Sequence, residues 1–219
     1  MSKFYEVVSS FKDKCIRHDV MEAGIPEPVA HRYIAMRMGM TFPSDNGQGA
    51  FCVIGQEMPD KMEHNPEGPL HLLDEHVHQG LSLDEFFNKA TDSYSLLCCS
   101  DLYCDTSNQP MHTGLLDFLD RSKINYVSIM DAPYRDSFYG GLAVCHDWWK
   151  AGKLILHPDS LTRVQLRGIT KDDLKNDPWV KFPLVDCLRH VLSGYKKYPP
   201  SSPVAMGAYG RFKDAGWML

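Results

Sequence analysis

The sequence of 219 residues lacks long apolar runs and an export signal. No apolar stretch reaches the roughly 20 residues that a membrane-spanning helix needs. The first residues, MSKFYEVVSSFKDKC, contain neither the apolar core nor the small-residue cleavage site of a signal peptide. These absences predict a cytoplasmic protein that has no membrane partner.

The cysteines lack the paired spacing of a metal site. Seven cysteines are scattered along the chain, mostly inside apolar runs, where a free thiol behaves as a small apolar side chain. CCSDLYC and HLLDEHVH contain possible zinc ligands, but neither has the CxxC or HExxH spacing that fixes tetrahedral geometry. Reduced thiols in a reducing compartment are therefore expected, and a zinc site is the alternative.

Charge is unevenly distributed along the chain. The whole sequence has a net charge of −5. From residue 150 onward there are 12 Lys and Arg against 6 Asp and Glu, net +6, whereas the preceding residues have 11 against 22, net −11. The basic last third indicates either a surface that faces phosphate or simply the solvated faces of helices and a tail.

The apolar spacing predicts an α/β domain. A helix from Phe4 to Cys15 is followed by a linker at GIPEP. RYIAMRM, AFCVIGQ and LHLLDEHV are predicted strands whose short connections indicate an antiparallel meander. The capping box from Ser82 to Glu85 then begins a helix.

A second half of alternating helices and strands follows. The short, largely apolar run SLLCCS, Ser95 to Ser100, is typical of a central strand. Helices are predicted near 114–121, 137–150 and 184–195, with extended segments at YVSIM and KLILHP. Three antiparallel strands followed by this alternation predict a ribonuclease H-like mixed β-sheet with helices on both faces.

Two acids are candidate site residues. Asp101 directly follows SLLCCS, so we expect it at the carboxyl end of a central strand, where ligands gather in open α/β sheets. Asp186 begins the last helix among apolar residues, where a buried carboxylate is stable only when it binds a metal or an arginine. The two acids are expected to converge on one ion. A turn for Asp101 and a helix-dipole role for Asp186 are the alternatives.

Several segments together resemble the nuclease domain of the large terminase subunits of tailed bacteriophages. They are HRYIAMRMGMTFPSDNGQGAFCVIGQE, LHLLDEHVHQGLSLDEFF, SLLCCSD, HDWWKAGKLILHP and VDCLRHVL. The resemblance runs from about Arg32 to Tyr195. It implies a nuclease that cuts concatemeric double-stranded DNA during genome packaging. It also implies two divalent ions, Mg²⁺ or Mn²⁺, held by acids on strand one, after strand four and on the last helix, so Asp101 and Asp186 would be the second and third ligands.

The chain departs from this family at the first ligand. MRMG places Arg37 where the family has an aspartate, and Arg37 is predicted to point at Asp101 and Asp186. The candidates to replace the lost ligand are Asp45, Asp105 and Asp131. Two classes of function therefore remain: a metal-dependent DNA endonuclease, and a non-catalytic DNA-binding or packaging-motor subunit.

The resemblance also predicts the domain organisation and the partners. Residues 1–30 would form an N-terminal helix and linker, 31–198 the nuclease domain and 199–219 a tail. No GxxxxGK[ST] motif is present, so a separate packaging ATPase is expected, with a portal or small terminase subunit as a further partner in a host cytoplasm. Contacts with DNA are expected from the basic residues Lys150, Lys153, Arg163, Arg167, Lys171 and Lys175.

Overall fold

The computed structural model describes residues 33–43, 48–57, 68–79, 82–132, 138–156, 159–170, 173 and 181–195. The predicted N-terminal helix and the predicted tail lie outside these residues, so the domain limits stay predictions. In chain order the described elements are β1 (Tyr33–Thr41), β2 (Gln48–Glu57), β3 (Leu70–Gln79), α1 (Leu83–Leu96), β4 (Asp101–Cys104), α2 (Gln109–Arg121), β5 (Ile129–Asp131), α3 (Phe138–Lys150), β6 (Leu154–Ile155), α4 (Leu161–Gly168) and α5 (Pro183–Leu192).

The strands form one sheet in the order β5-β4-β1-β2-β3-β6. β1, β2 and β3 are the predicted antiparallel meander. β4 pairs in parallel with β1, and β5 pairs in parallel with β4. β6 lies at the other side of the sheet, parallel to β3. This strand order confirms the predicted α/β, ribonuclease H-like fold.

Alternate residues of the strands enter two separate cores, because side chains point to opposite faces of a sheet. Met36, Met38 and Met40 of β1 are buried in the core beneath α1 and α2. Ala50 and Ile54 of β2 are buried in the core beneath α3, α4 and α5. Both faces of the sheet are therefore covered by helices.

α5 lies directly against the backbone of β1. A Cβ at Gly39 would collide with the carbonyl oxygen of Cys187 in α5, so only glycine fits at this point of the strand. Leu184, Leu188 and Val191 of α5 are fully buried in the same core. This close contact fixes which residues of α5 reach the ends of β1.

The predicted strand from Ser95 to Ser100 is wrong. α1 begins at the predicted capping box and continues through Leu96, because its apolar spacing extends to the buried residues Tyr94 and Leu97. Cys98, with a positive φ of 44°, ends the turn that follows. β4 begins only at Asp101, so this acid is the first residue of the strand and does not follow its carboxyl end.

α4 is a helix that the apolar pattern did not predict. Only Thr162 and Leu166 are buried, whereas Leu161 and Val164 are at least half exposed, which hides the helical spacing. The carboxylate of Glu75 on β3 accepts hydrogen bonds from the backbone N–H groups of Leu161 and Thr162 at 2.6 and 2.9 Å. An acid at a helix amino end is favoured by the helix dipole, so Glu75 fixes α4 to the sheet.

Candidate functional site

Three strands end at the same edge of the sheet. Because β1, β4 and β5 are parallel, their carboxyl ends lie side by side. Thr41 ends β1, Asp105 directly follows β4, and Asp131 ends β5. Asp186 reaches this edge from the first turn of α5, since its Oδ2 accepts a hydrogen bond from Thr41 Oγ1 at 2.7 Å. We call these four residues the carboxyl edge.

Asp186 is a buried acid with an arginine partner. The residue is 5% exposed, and its Oδ1 accepts a hydrogen bond from Nε of Arg189, one turn further along α5. A buried carboxylate without partners costs several kcal/mol, and the guanidinium together with the Thr41 hydroxyl offsets that loss of hydration. The prediction that Asp186 pairs with a metal ion or an arginine is confirmed for the arginine.

His190 completes the buried polar group on α5. Its Nδ1 donates to the carbonyl oxygen of Met40 at 3.0 Å, and its Nε2 lies 3.6 Å from Asp186 Oδ1. This Nε2 is buried and makes no hydrogen bond within the described part of the chain. Burial lowers the pKa of His190, and the negative charges of Asp186 and Asp105 act in the opposite direction. The imidazole is therefore neutral near pH 7, with its proton on Nδ1.

Asp105 and Asp131 are oriented by the loop after β4. Asp105 Oδ1 accepts hydrogen bonds from the backbone N–H and hydroxyl of Ser107 at 2.9 and 2.5 Å. Asp131 Oδ1 accepts a hydrogen bond from Thr106 Oγ1 at 2.5 Å. Asp105 thus occupies the position after strand four, which the resemblance had assigned to Asp101.

Asp101 and Arg37 form a separate pair at the other end of β4. They are directly opposite each other in the parallel register, and Arg37 Nε donates to Asp101 Oδ2 at 3.2 Å. Arg37 Nη1 also donates to the carbonyl oxygen of Gly194 at 2.6 Å, and its guanidinium lies 4.6 Å from the ring centroid of Tyr195. The predicted contact between Arg37 and Asp101 is confirmed.

The structure does not bring Asp101 and Asp186 together. Asp101 is level with Arg37, whereas Asp186 contacts Thr41, four residues further along β1. At the rise of a β-strand this separation is about 13 Å along the sheet. The predicted convergence on one ion is therefore not observed, because the prediction placed β4 too early in the sequence. Arg37 accordingly contacts Asp101 without contacting Asp186.

Acids at the carboxyl edge are the possible ligands of a divalent ion. In the described ranges no group of three or more His, Cys, Asp or Glu side chains is placed to hold a metal ion, and Asp45 lies outside them. β1, YIAMRMGMT, contains no acid. The carboxylates of Asp105 and Asp186 are nevertheless hard oxygen donors, and Mg²⁺ is commonly held by one or two carboxylates with water and substrate phosphate.

Two of the predicted DNA-binding residues lie on α4. Arg163 and Arg167 are one turn apart on this helix, and Arg167 is exposed. Lys153 lies just before β6. The side chain of Lys150 and all of Lys171 and Lys175 lie outside the described residues. The structure therefore places three of the candidates, without showing whether they contact DNA.

Thr41, Arg189 and His190 are site residues that the sequence analysis did not identify. A signal for two of them was present, because Arg189 and His190 follow Asp186 by three and four residues and so share its helix face. Thr41 had no comparable signal. It is part of the site because it ends β1 beside α5.

Two solved structures are similar to this chain. The nuclease domain of the g2p large terminase from bacteriophage SPP1, solved with bound Mn, is 15% identical, with a TM-score of 0.47 and coverage of 78% of this chain and 92% of that domain. The large terminase nuclease from thermophilic phage G20c is 11% identical, with a TM-score of 0.49 and coverage of 74% and 82%. Both belong to the family that the sequence segments resemble. At these identities the likeness concerns the fold and does not assign roles to residues.

No protein-family model and no curated protein matches the sequence. In the part of the chain that the structure describes, every helix is too short or too polar to cross a membrane.

Proposed function

We propose that this chain is a terminase-type endonuclease that cuts double-stranded DNA during viral genome packaging and depends on a divalent ion. The observation that supports this most is that Asp105, directly after β4, and Asp186, in the first turn of the last helix, are both placed at the carboxyl edge. The resemblance implies acids at these two places. Asp101 takes no part in this site because it lies at the opposite end of β4.

Five residues at or beside the carboxyl edge have distinct roles in the proposal. Asp105 and Asp186 would hold the divalent metal, Mg²⁺ or Mn²⁺, which would supply an activated water and polarise the phosphodiester. Thr41 and Arg189 orient the carboxylate of Asp186 through its two oxygens. The buried Nε2 of His190 faces the same carboxylate, and burial lowers the pKa of this imidazole, which keeps Nε2 without a proton near pH 7.

A non-catalytic packaging subunit is the second candidate. It is favoured by the absence of an acid from β1, where Thr41 stands at the edge of the sheet. It is also favoured by the ion pair between Asp186 and Arg189, which already neutralises the carboxylate. Such a protein would bind DNA and leave hydrolysis to another chain.

Either class requires contact with the DNA backbone and with other packaging proteins. We propose that Lys153, Arg163 and Arg167, together with Lys150, Lys171 and Lys175, bind phosphate without reading the sequence. Affinity for duplex DNA should then fall steeply as salt is raised, because each neutralised phosphate releases counterions. The proposed protein partners are a separate packaging ATPase and a portal or small terminase subunit.

Nicking of supercoiled plasmid in the presence of Mn²⁺ or Mg²⁺ tests the proposal. We expect nicking by the unmodified protein, and we expect Asp186→Asn and Asp105→Asn to lower it to the rate seen without metal. Asp101→Asn is the matched control, since it removes an acid outside the carboxyl edge. Salt-sensitive DNA binding without nicking would support the non-catalytic subunit, and the absence of both would contradict both classes.

A further inference from the structure

β1 contacts α5 at three alternate residues. Thr41 donates to Asp186 near the amino end of the helix, and Gly39 lies against Cys187. Arg37 donates to the carbonyl oxygen of Gly194, which lies just beyond the carboxyl end of α5. The helix and the strand therefore run in opposite directions and are joined by polar contacts at both ends.

The segment of β1 and the segment of α5 that lie between the two end contacts have nearly the same length. Four residues of strand from Arg37 to Thr41 span about 13 Å. The six residues of α5 from Asp186 to Leu192 rise about 9 Å, and Ser193 and Gly194 continue the last turn by about 3 Å more. Both hydrogen bonds can therefore form at once in only one axial placement of α5, and a slip of one helical turn, about 5.4 Å, would break both.

We propose that Arg37 is a positioning residue: it holds the carboxyl end of α5 at Gly194 and thereby sets where Asp186 stands at the carboxyl edge. A guanidinium is well suited to this position, because a cation is favoured at the carboxyl end of a helix. Its packing over the Tyr195 ring adds a second contact, and the Tyr195 hydroxyl donates to the carbonyl oxygen of Ile54 at 2.6 Å. The bond to Asp101 is made by Nε, separately from the bond of Nη1 to Gly194, and the placement of α5 does not depend on it.

The first test measures Mn²⁺ affinity by isothermal titration, and this readout rests on the proposed function. Arg37→Met should weaken Mn²⁺ binding about tenfold, the lower end of the effect of removing a group that orients a metal ligand. Asp101→Asn should leave the affinity unchanged, because the bond from Arg37 to Gly194 remains. Arg121→Met is the matched control, since Arg121 pairs with Asp84 on the surface of α1 and α2. Unchanged Mn²⁺ affinity in Arg37→Met would overturn the inference.

A second test does not depend on metal binding. Arg37→Met and Thr41→Val are combined, and the loss of Tm in the double variant is compared with the sum of the single losses. Groups this far apart normally act additively. If Arg37 sets the placement of Asp186, the combined loss is smaller than the sum, because the contact of Thr41 is already weakened in Arg37→Met. Additive losses would overturn the inference.

The two tests separate the possible failures. If the unmodified protein binds no Mn²⁺, the proposed metal site fails and the Tm comparison decides the role of Arg37. If Arg37→Met does not fold, Arg37→Lys replaces it in both tests. A single ammonium keeps the charge but cannot bond Gly194 and Asp101 with the geometry of the guanidinium, so we expect the same effects at smaller size.

Discussion

At its amino end α5 meets the sheet through Asp186 and Arg189, whose side chains are 7% and 6% exposed. At its carboxyl end it meets Arg37 and Asp101, whose side chains are 24% and 23% exposed. The amino-end pair lies within one turn of a single helix, whereas the carboxyl-end pair joins two strands and reaches α5 through Gly194. An aspartate and an arginine are therefore paired at both ends of α5. At the amino end the arginine holds the aspartate in place, and at the carboxyl end the arginine holds the helix in place.

The difference in burial decides how much stability is lost when one partner of each ion pair is removed. A buried pair gains little net stability, but removing one partner leaves a charge without hydration. A partly exposed pair loses less, because water replaces the missing partner. Stability at the amino end of α5 should therefore depend mainly on keeping both charges of the pair. At the carboxyl end it should depend mainly on keeping the close contacts between β1 and α5.

Removal of the buried arginine should have the largest effect. Among the described residues, Arg189→Met leaves the buried Asp186 with the Thr41 hydroxyl as its remaining hydrogen-bond donor, so we expect the free energy of unfolding to fall by about 3–5 kcal/mol. Urea denaturation at pH 7 measures this. The double variant Asp186→Asn with Arg189→Met should recover most of the loss, since it leaves no charge uncompensated. A small effect of Arg189→Met alone would show that the pair is hydrated in solution.

Adding a side-chain atom at Gly39, where β1 lies against the middle of α5, should have the next largest effect on the free energy of unfolding. Gly39→Ala forces a Cβ against the Cys187 carbonyl, and such overpacking costs about 1–3 kcal/mol. Gly114→Ala is the matched control, because a Cβ there meets nothing within 4 Å inside α2. We expect the control to stabilise by about 0.5–1 kcal/mol, the usual gain of alanine over glycine in a helix. Equal effects in denaturant titrations would mean that α5 does not lie against β1.

Lower pH should reduce the stability of the folded protein through His190, which lies near the amino end of α5. Burial lowers the pKa of His190 below its ordinary value of 6.5, so the unfolded chain takes up a proton that the folded protein does not. Stability should fall as the pH drops below about 6.5, by up to about 1.4 kcal/mol per pH unit for one proton. His76 shifts in the same direction, so the difference in slope between the unmodified protein and His190→Gln is the quantity to measure. Identical slopes would contradict the assignment to His190.

The smallest effect is expected at the carboxyl end from Tyr195→Phe. The ring stays beneath Arg37, but the hydrogen bond from the hydroxyl to Ile54 is lost. One neutral hydrogen bond contributes about 0.5–1.5 kcal/mol, which chemical denaturation resolves. A loss much larger than this would mean that the hydroxyl, and not the ring, fixes Arg37.

Much of the sheet could be predicted from local patterns. The alternation in β1, β2 and β3 and the capping box at Ser82 were enough to place those elements. The run from Ser95 to Ser100 was misassigned because a short apolar run fits a buried strand and a buried helix end equally well. That one displacement moved Asp101 to the wrong end of β4 and left Asp105 as a secondary candidate.

The site could be predicted only in part, for a related reason. The apolar surroundings of Asp186 were sufficient to predict its burial and a partner that is either a cation or an arginine, but not that this partner is Arg189 in place of Arg37. The identity of the acid beside it depended on strand register, which involves residues distant in the sequence. The meeting of Thr41 with Asp186 joins residues 145 positions apart, and no local pattern reports such a contact.

The position of α5 also bears on how the chain folds during synthesis. This helix is made after every described strand, yet it covers the face of β1 and β2. The contact between Arg37 and Gly194 spans 157 residues, and at about 5–20 residues per second the ribosome needs on the order of 10 s to supply the second partner. For that time the part of this apolar face that α5 covers stays exposed, although α3 and α4 emerge earlier and join the same core. Chaperone binding should therefore be greatest in the interval before α5 emerges, and the last described helix sets when folding can finish.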